Sequence, residues 1–257
     1  MTASVATEFE TNWQQWRAER EKTLRAEHGW LSLTGLHWLT DEPASYPEVP
    51  GTWHADGDDV VVDGIDGVHR VTPGEGAPGI EVPDGRRVIE VIRRTGTFAL
   101  RVHDPDAREL ADFDGVPTYV PHAQWQIDGT FTPYERARVV TTGAVVEGLE
   151  HHHPATGTIA FTVDGVAAEV VAFAGAGEDL KVLFTDATSG KTTYAAARIL
   201  AVGAPDDAGH VVLDFNRASN LPCAFTDFAT CPVAPADNRL AVAIEAGEKT
   251  PRRSGRA

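Results

Sequence analysis

The sequence predicts a mainly β protein, an antiparallel barrel or sandwich with an N-terminal helix, on three observations. Short runs rich in Val, Ile, Thr and Phe recur along the chain, Asp-Gly pairs fall at 56, 63, 66, 84, 114, 128 and 164, and a helical period precedes them all. Asp-Gly tolerates the positive φ of tight hairpin turns, so the pattern reads as antiparallel strands and not as βαβ units.

The helix comes first. Phe9, Trp13, Trp16 and Leu24 recur near one face while Glu10, Arg17, Glu19, Arg20, Glu21 and Lys22 cover the rest. Thr7 and Glu10 have the spacing of a capping box, and Gly29 is a natural stop. Strands are then expected at Val60 to Val62, Val88 to Ile92, Phe98 to Val102, Val139 to Thr142, Ile159 to Val163, Ala168 to Phe173, Lys181 to Phe184 and Val211 to Phe215. The clearest hairpin is TIAFTV and VAAEVVAF joined by Asp164 and Gly165. The organisation expected is an N-terminal helix within 1–29 packed on the domain, a single β-rich domain over 30–249, and a flexible tail over 250–257 with Arg252, Arg253 and Arg256.

A chain of 257 residues buries roughly 70 to 75% of its unfolded surface without a covalent staple. Net charge −16 repels phosphate backbones and anionic lipid, so nucleic acid and membrane surfaces are excluded as partners. With no run of 18 apolar residues and no apolar stretch at the start, a cytoplasmic location is expected. In such a compartment Cys223 and Cys231 stay as thiols, and their C-x7-C spacing is not that of a zinc knuckle. No cofactor and no oligomeric state is indicated.

Three motifs are set aside. Ser189, Gly190, Lys191 and Thr192 resemble the end of a phosphate loop, but Thr185 stands where its first glycine belongs. His151, His152 and His153 precede Pro154 and Gly157 and read as a surface loop. Gly74, Gly76 and Gly79 mark a connector, because no helical pattern follows them.

The stretch Asn216 to Arg239, NRASNLPCAFTDFATCPVAPADNR, is the first candidate for a site. It holds both cysteines without helical or strand period, and irregular segments this long inside a domain are usually functional or disordered. Phe225, Phe228 and Leu221 give it apolar area to bury. Just before it, HVVLDFNR read as a strand puts His210, Val212, Asp214 and Asn216 on one face and Val211, Leu213 and Phe215 on the core face. Those polar groups, with Arg217, Asn220 and Cys223, are of the types that orient a ligand, activate a thiol or hold a metal. The competing reading is that Asp214 and Asn216 cap the amides of a buried loop.

The motifs SGKTTYAAARIL, LDFNRASNLPCAF, ATCPVAPADNRL and IEAGEK, with GWLSLTGLHWL near the start, resemble domain-of-unknown-function family 1684 from about Trp16 to Lys249. The resemblance implies that Tyr194, Arg198, Asp214, Asn216, Arg217, Asn220, Cys223, Cys231, Asn238, Arg239 and Glu248 belong to a signature, without implying a reaction. The chain departs from it at Ser219 and Phe228, where tyrosine is expected, and at Leu221, where proline is expected.

Three functions remain open. The first is a small-molecule binder whose polar pocket is roofed by the 216–239 loop. Asn216, Arg217, Asn220, Tyr194, Arg198, Asn238, Arg239 and Glu248 are its ligand-binding candidates, and in a hydrolytic or acyl-transfer version Asp214, Cys223 and His210 are catalytic, with His37 an alternative partner for Cys223. The second is a non-catalytic module whose loop is a buried plug. The third is a metal-dependent protein using His and carboxylate ligands.

Overall fold

The computed structural model describes residues 7–67 and 70–253. It is mainly β and antiparallel, with one long helix at the start. The helix, α1 (Glu8–Leu24), begins on the expected capping box. Thr7 N–H donates to Glu10 Oε2 at 2.8 Å and Glu10 N–H to Thr7 Oγ1 at 3.2 Å. Its anchoring indole is Trp13, buried and donating through Nε1 to Asn216 O, whereas Trp16 is only half-buried.

The chain gathers into two compact units. One comprises residues 7–21, 115–224 and 231–252, the other 22–67, 70–114, 225–230 and 253. The first unit is built on a seven-stranded sheet. Its strands are β8 (Gln126–Gly143), β9 (Glu150–Val163), β10 (Val166–Ala174), β11 (Leu180–Phe184), β12 (Arg198–Val202), β13 (His210–Asp214) and β14 (Ser219–Asn220), in the order β13-β8-β9-β10-β11-β12-β14. The outer strands β13 and β14 do not pair, so the sheet is not a closed barrel. Its inward residues, among them Phe161, Val182, Phe184 and Leu213, are buried around one core with Phe215.

The second unit is a small sandwich. A four-stranded sheet, order β1 (Leu33–Trp38), β7 (Thr97–His103), β6 (Arg87–Arg94), β5 (Ile80–Asp84), shares a core with a three-stranded sheet of β2 (Thr52–Asp56), β3 (Asp59–Asp63) and β4 (Arg70–Val71). Trp53, Val60, Val62, Ile89, Val91, Leu100 and Val102 fill that core.

Asp164 and Gly165 form the expected hairpin turn, both with positive φ, between β9 and β10. Asp-Gly at 56 and 84 turn as predicted, but Asp128 and Gly129 lie inside β8, where leucine and isoleucine side chains close over Gly129. His151 to His153 are also not a loop: they are part of β9, paired with Val140 to Thr142. Among the expected strands, Phe215 falls past the end of β13 in a 3-10 turn that runs to Arg217. In the tail, Thr250 N–H donates to Thr192 O and Pro251 is buried, while 254–257 lie outside the described residues.

Candidate functional site

The loop residues singled out from the sequence are engaged mainly with their own chain. At the end of β13, Asp214 accepts from the backbone and side-chain amides of Asn216 and from Gln126 Nε2, and its Oδ2 lies 3.3 Å from Arg217 Nε. It caps the 3-10 turn Phe215–Arg217, the role that an aspartate before orphan amides commonly fills. Asn216 is buried and clamps His122 from both sides, donating to its carbonyl and accepting from its N–H. A cleft of about 230 Å³ opens beside this turn, lined by Glu8, Phe9, Asn12, Trp13, Gln126, Asp214 and Arg217.

His210 does not join them. Four residues away along β13, about 13 Å by strand rise, it is exposed and bonds Asp128 Oδ1 at 2.9 Å. Cys223 is buried with Cys231, its N–H donating to Cys231 Sγ at 3.2 Å, and Tyr194 donates its hydroxyl to Cys223 O. Among the described residues no histidine hydrogen-bonds Cys223, so a Cys–His pair of the kind needed for thiol activation is not assembled.

The remaining signature residues close gaps in the backbone. Asn238 is wholly buried, and its carboxamide accepts from Val171 N and donates to Val171 O and Leu183 O. It fills the place where β10 and β11 have diverged, since those strands pair only at Phe173 with Lys181 and Ala174 with Leu180. Arg198 is buried against Asp186, with bonds to the carbonyls of Ile244 and Ala246 and its guanidinium over the Phe184 ring. Glu248 follows Gly247, whose φ of 76° and close approach to the carbonyls of Ala218 and Phe215 leave no room for a side chain. That turn sets the Glu248 carboxylate on Asn220 N at 2.6 Å and on Arg20 Nε at 2.9 Å. Arg239 is exposed.

A second cluster, which the sequence reading missed, lies in the other unit. Along β7, Phe98, Leu100 and Val102 face the sandwich core, so alternation sends Arg101 and His103 to the opposite face of the sheet. Glu90 on β6 stands opposite Arg101, and Glu81 on β5 opposite Glu90, forming a charged row across three strands. Arg101 is buried, yet each of its nitrogens is used: Nη1 on Glu90 Oε2, Nη2 on Thr230 Oγ1 and Nε on Phe228 O, with Trp30 beside its guanidinium. The tip of the 216–239 loop thus supplies two of the three groups that hold this arginine.

Burial pushes Glu90 toward its neutral form, but the His103 hydrogen bond and the Arg101 charge and hydrogen bond outweigh it and hold the carboxyl at about 2, below its ordinary 4.5. His103 Nε2 is 3.3 Å from Glu90 Oε2, and its Nδ1 is 3.0 Å from Ser32 Oγ. The Ser32–His103–Glu90 line has the members of a hydrolytic triad, set in the interior. Ser32 is fully buried, without access to a substrate, and its hydroxyl lies within hydrogen-bond distance of both Gly29 O, at 2.7 Å, and His103 Nδ1. Beside the line is a cavity of about 210 Å³, bounded by His28, Gly29, Trp30, Glu81, Glu90 and His103.

The family model described as Protein of unknown function (DUF1684) matches residues 111–249, more than half of the chain. The chain belongs to that family. The GWLSLTGLHWL motif lies outside the matched residues, whereas Tyr194, Arg198 and the whole 216–239 loop lie within them. Among solved structures, the chain is similar to an uncharacterized protein of Haloarcula marismortui determined by solution NMR. The identity is 29%, over 55% of this chain and 78% of that one, with a TM-score of 0.46. Comparison with curated proteins finds no match. Among the described residues no helix is long and apolar enough to cross a membrane, and no three His, Cys, Asp or Glu side chains gather as metal ligands.

Proposed function

We propose that this protein binds a small cationic molecule, an amine, in the cavity bounded by Glu81, Glu90, Trp30 and His28. The observation that carries the reading is the charged row on β5, β6 and β7, where two carboxylates meet at an open cavity and the buried cation behind them is already consumed. Glu81 is exposed and has no hydrogen bond or ion pair among the described residues, and Glu90 Oε1 accepts only a long 3.3 Å bond from Gly79 N. His28 spends Nε2 on Arg86 O, which leaves Nδ1 as an acceptor. A ligand rich in N–H donors and carrying positive charge complements that set, and the Trp30 indole offers apolar contact for its carbon atoms. The 216–239 loop contributes indirectly, its tip anchoring Arg101 and through it Glu90.

Calorimetric titration with ethylammonium, putrescine and guanidinium tests the reading. Saturable binding of at least one probe, weakened about tenfold or more by Glu81→Gln, is the expected result, a loss of roughly 1.4 kcal/mol. Absence of binding below about 10 mM for all three, or affinity indifferent to Glu81→Gln, refutes it.

A second reading applies to the other unit, where the signature loop acts as a buried plug. Asn238, Asn216 and Glu248 are buried and bonded to neighbouring backbone, which supports a structural role for them in place of the ligand-binding role expected from the sequence.

A further inference from the structure

We infer that Cys223 and Cys231 are a modification site, a redox-active dithiol that a small peroxide oxidises to an intramolecular disulfide. Both are thiols in this structure. Cys231 Sγ sits 3.2 Å from Cys223 N, which puts it within about 4.7 Å of Cys223 Cα once the N–Cα bond is added. The two residues are neighbours in space as well as in sequence, the juxtaposition that a disulfide requires.

The chemistry has a defined direction. The hydrogen bond from Cys231 draws the Cys223 thiol below its ordinary value against the opposing effect of burial, with Tyr194 adding to it. In the proposed sequence Cys223 is the attacking sulfur. Its thiolate displaces hydroxide from hydrogen peroxide, the O–O bond breaks, and hydroxide leaves as water after taking up the thiol proton. The resulting sulfenic acid is attacked by the Cys231 sulfur, the S–O bond breaks, and a second water leaves with the Cys231 proton. Two thiols and one peroxide become one disulfide and two waters, two electrons passing from sulfur to oxygen. Exposures of 4% and 7% select the oxidant: peroxide reaches such thiols, whereas a bulky disulfide such as oxidised glutathione does not.

Closure has a structural consequence. The cysteines bracket Ala224 to Thr230, the segment that supplies Phe228 O and Thr230 Oγ1 to Arg101. A 223–231 disulfide ties that tip into a short ring and restricts the excursions by which it could release the arginine.

The test uses the full chain, reduced and then exposed to stoichiometric hydrogen peroxide or, separately, oxidised glutathione. With peroxide, intact mass falls by two hydrogens, both thiols become unreactive under denaturation, and a phosphine reductant restores them. In Cys231→Ser a sulfenic acid is trapped by dimedone on residue 223, while in Cys223→Ser the remaining thiol reacts at least about tenfold more slowly than Cys223. If either variant fails to fold by circular dichroism, dimedone trapping in the wild-type chain at early times supplies the same order, Cys223 first. Overturning results are two titratable thiols after peroxide, a disulfide between two chains, sulfinic acid without a disulfide, glutathione disulfide reacting as fast as peroxide, or Cys231 labelled first. None of these depends on amine binding, so each reading can fail without the other.

Discussion

Replacing Asn238 by alanine separates a structural carboxamide from a ligand-binding one. The side chain is fully buried and makes three bonds of 2.7, 2.9 and 2.8 Å to Val171 N, Val171 O and Leu183 O. Alanine leaves one backbone donor and two acceptors without partners in the interior. Each unsatisfied group costs about 1 to 3 kcal/mol, and a water entering the vacated space recovers part of that, so a net loss of about 3 to 5 kcal/mol is expected. Aspartate is predicted to be at least as damaging at neutral pH, because its carboxylate keeps an acceptor for Val171 N but turns oxygen lone pairs toward the two carbonyls. Guanidinium denaturation followed by far-UV circular dichroism measures both. A loss below about 1 kcal/mol for Asn238→Ala would show that the three bonds do not hold β10 to β11 and would return Asn238 to the ligand-binding candidates.

Asp214→Asn should cost about 1 to 3 kcal/mol, since it removes a charge-assisted cap and sets a donor against the Asn216 amides, whereas the exposed His210→Ala should change thermal stability little; equal losses would sink the distinction. Glu90 has a folded value of about 2 below its ordinary 4.5, so its contribution is fully present above pH 4.5 and is lost as pH falls through 2. Glu90→Gln should therefore lose about 3 kcal/mol at neutral pH and show a flatter acid limb, and a parallel limb in urea titrations from pH 5 to 2 contradicts the pairing. His153 is lowered to about 4 from 6.5, chiefly by burial and then by His151, so the unfolded chain binds more protons and stability declines as pH falls from 6.5 toward 4. His153→Gln should remove part of that slope, and an unchanged slope would assign it to other groups.

The helix, the β class and the 164–165 hairpin were legible because each rests on a local rule: a capping box, period-2 runs, and a dipeptide tolerant of positive φ. The face assignment of β13 was legible for the same reason, with Val211 and Leu213 buried and His210 and Val212 exposed. What was not legible is non-local. Asp186 gives no sign in sequence that it is the partner of Arg198, and Ser32 no sign that it meets His103, 71 positions further along. The charged row had a signal that went unread: VIEVI and ALRV each place one charge inside an otherwise apolar run, and such a charge must be paired. The His151 to His153 run misled because Pro154 and Gly157 suggest a loop, yet β9 carries both, with a bulge in its pairing with β8.

The carboxamide that splices β10 to β11 also sets a schedule for the folding chain. Val171 and Leu183 wait for a residue 67 and 55 positions further along. Until the ribosome has delivered Asn238, both strands exist with unpaired backbone groups at their divergence, a ready template for pairing with another chain. Contacts of such sequence separation form late, because the intervening chain must be closed first. A nascent or truncated polypeptide ending before this residue therefore contains nearly the whole seven-stranded sheet and still lacks the side chain that finishes it. Premature termination between β14 and Asn238 should yield an aggregating product in preference to a smaller stable one.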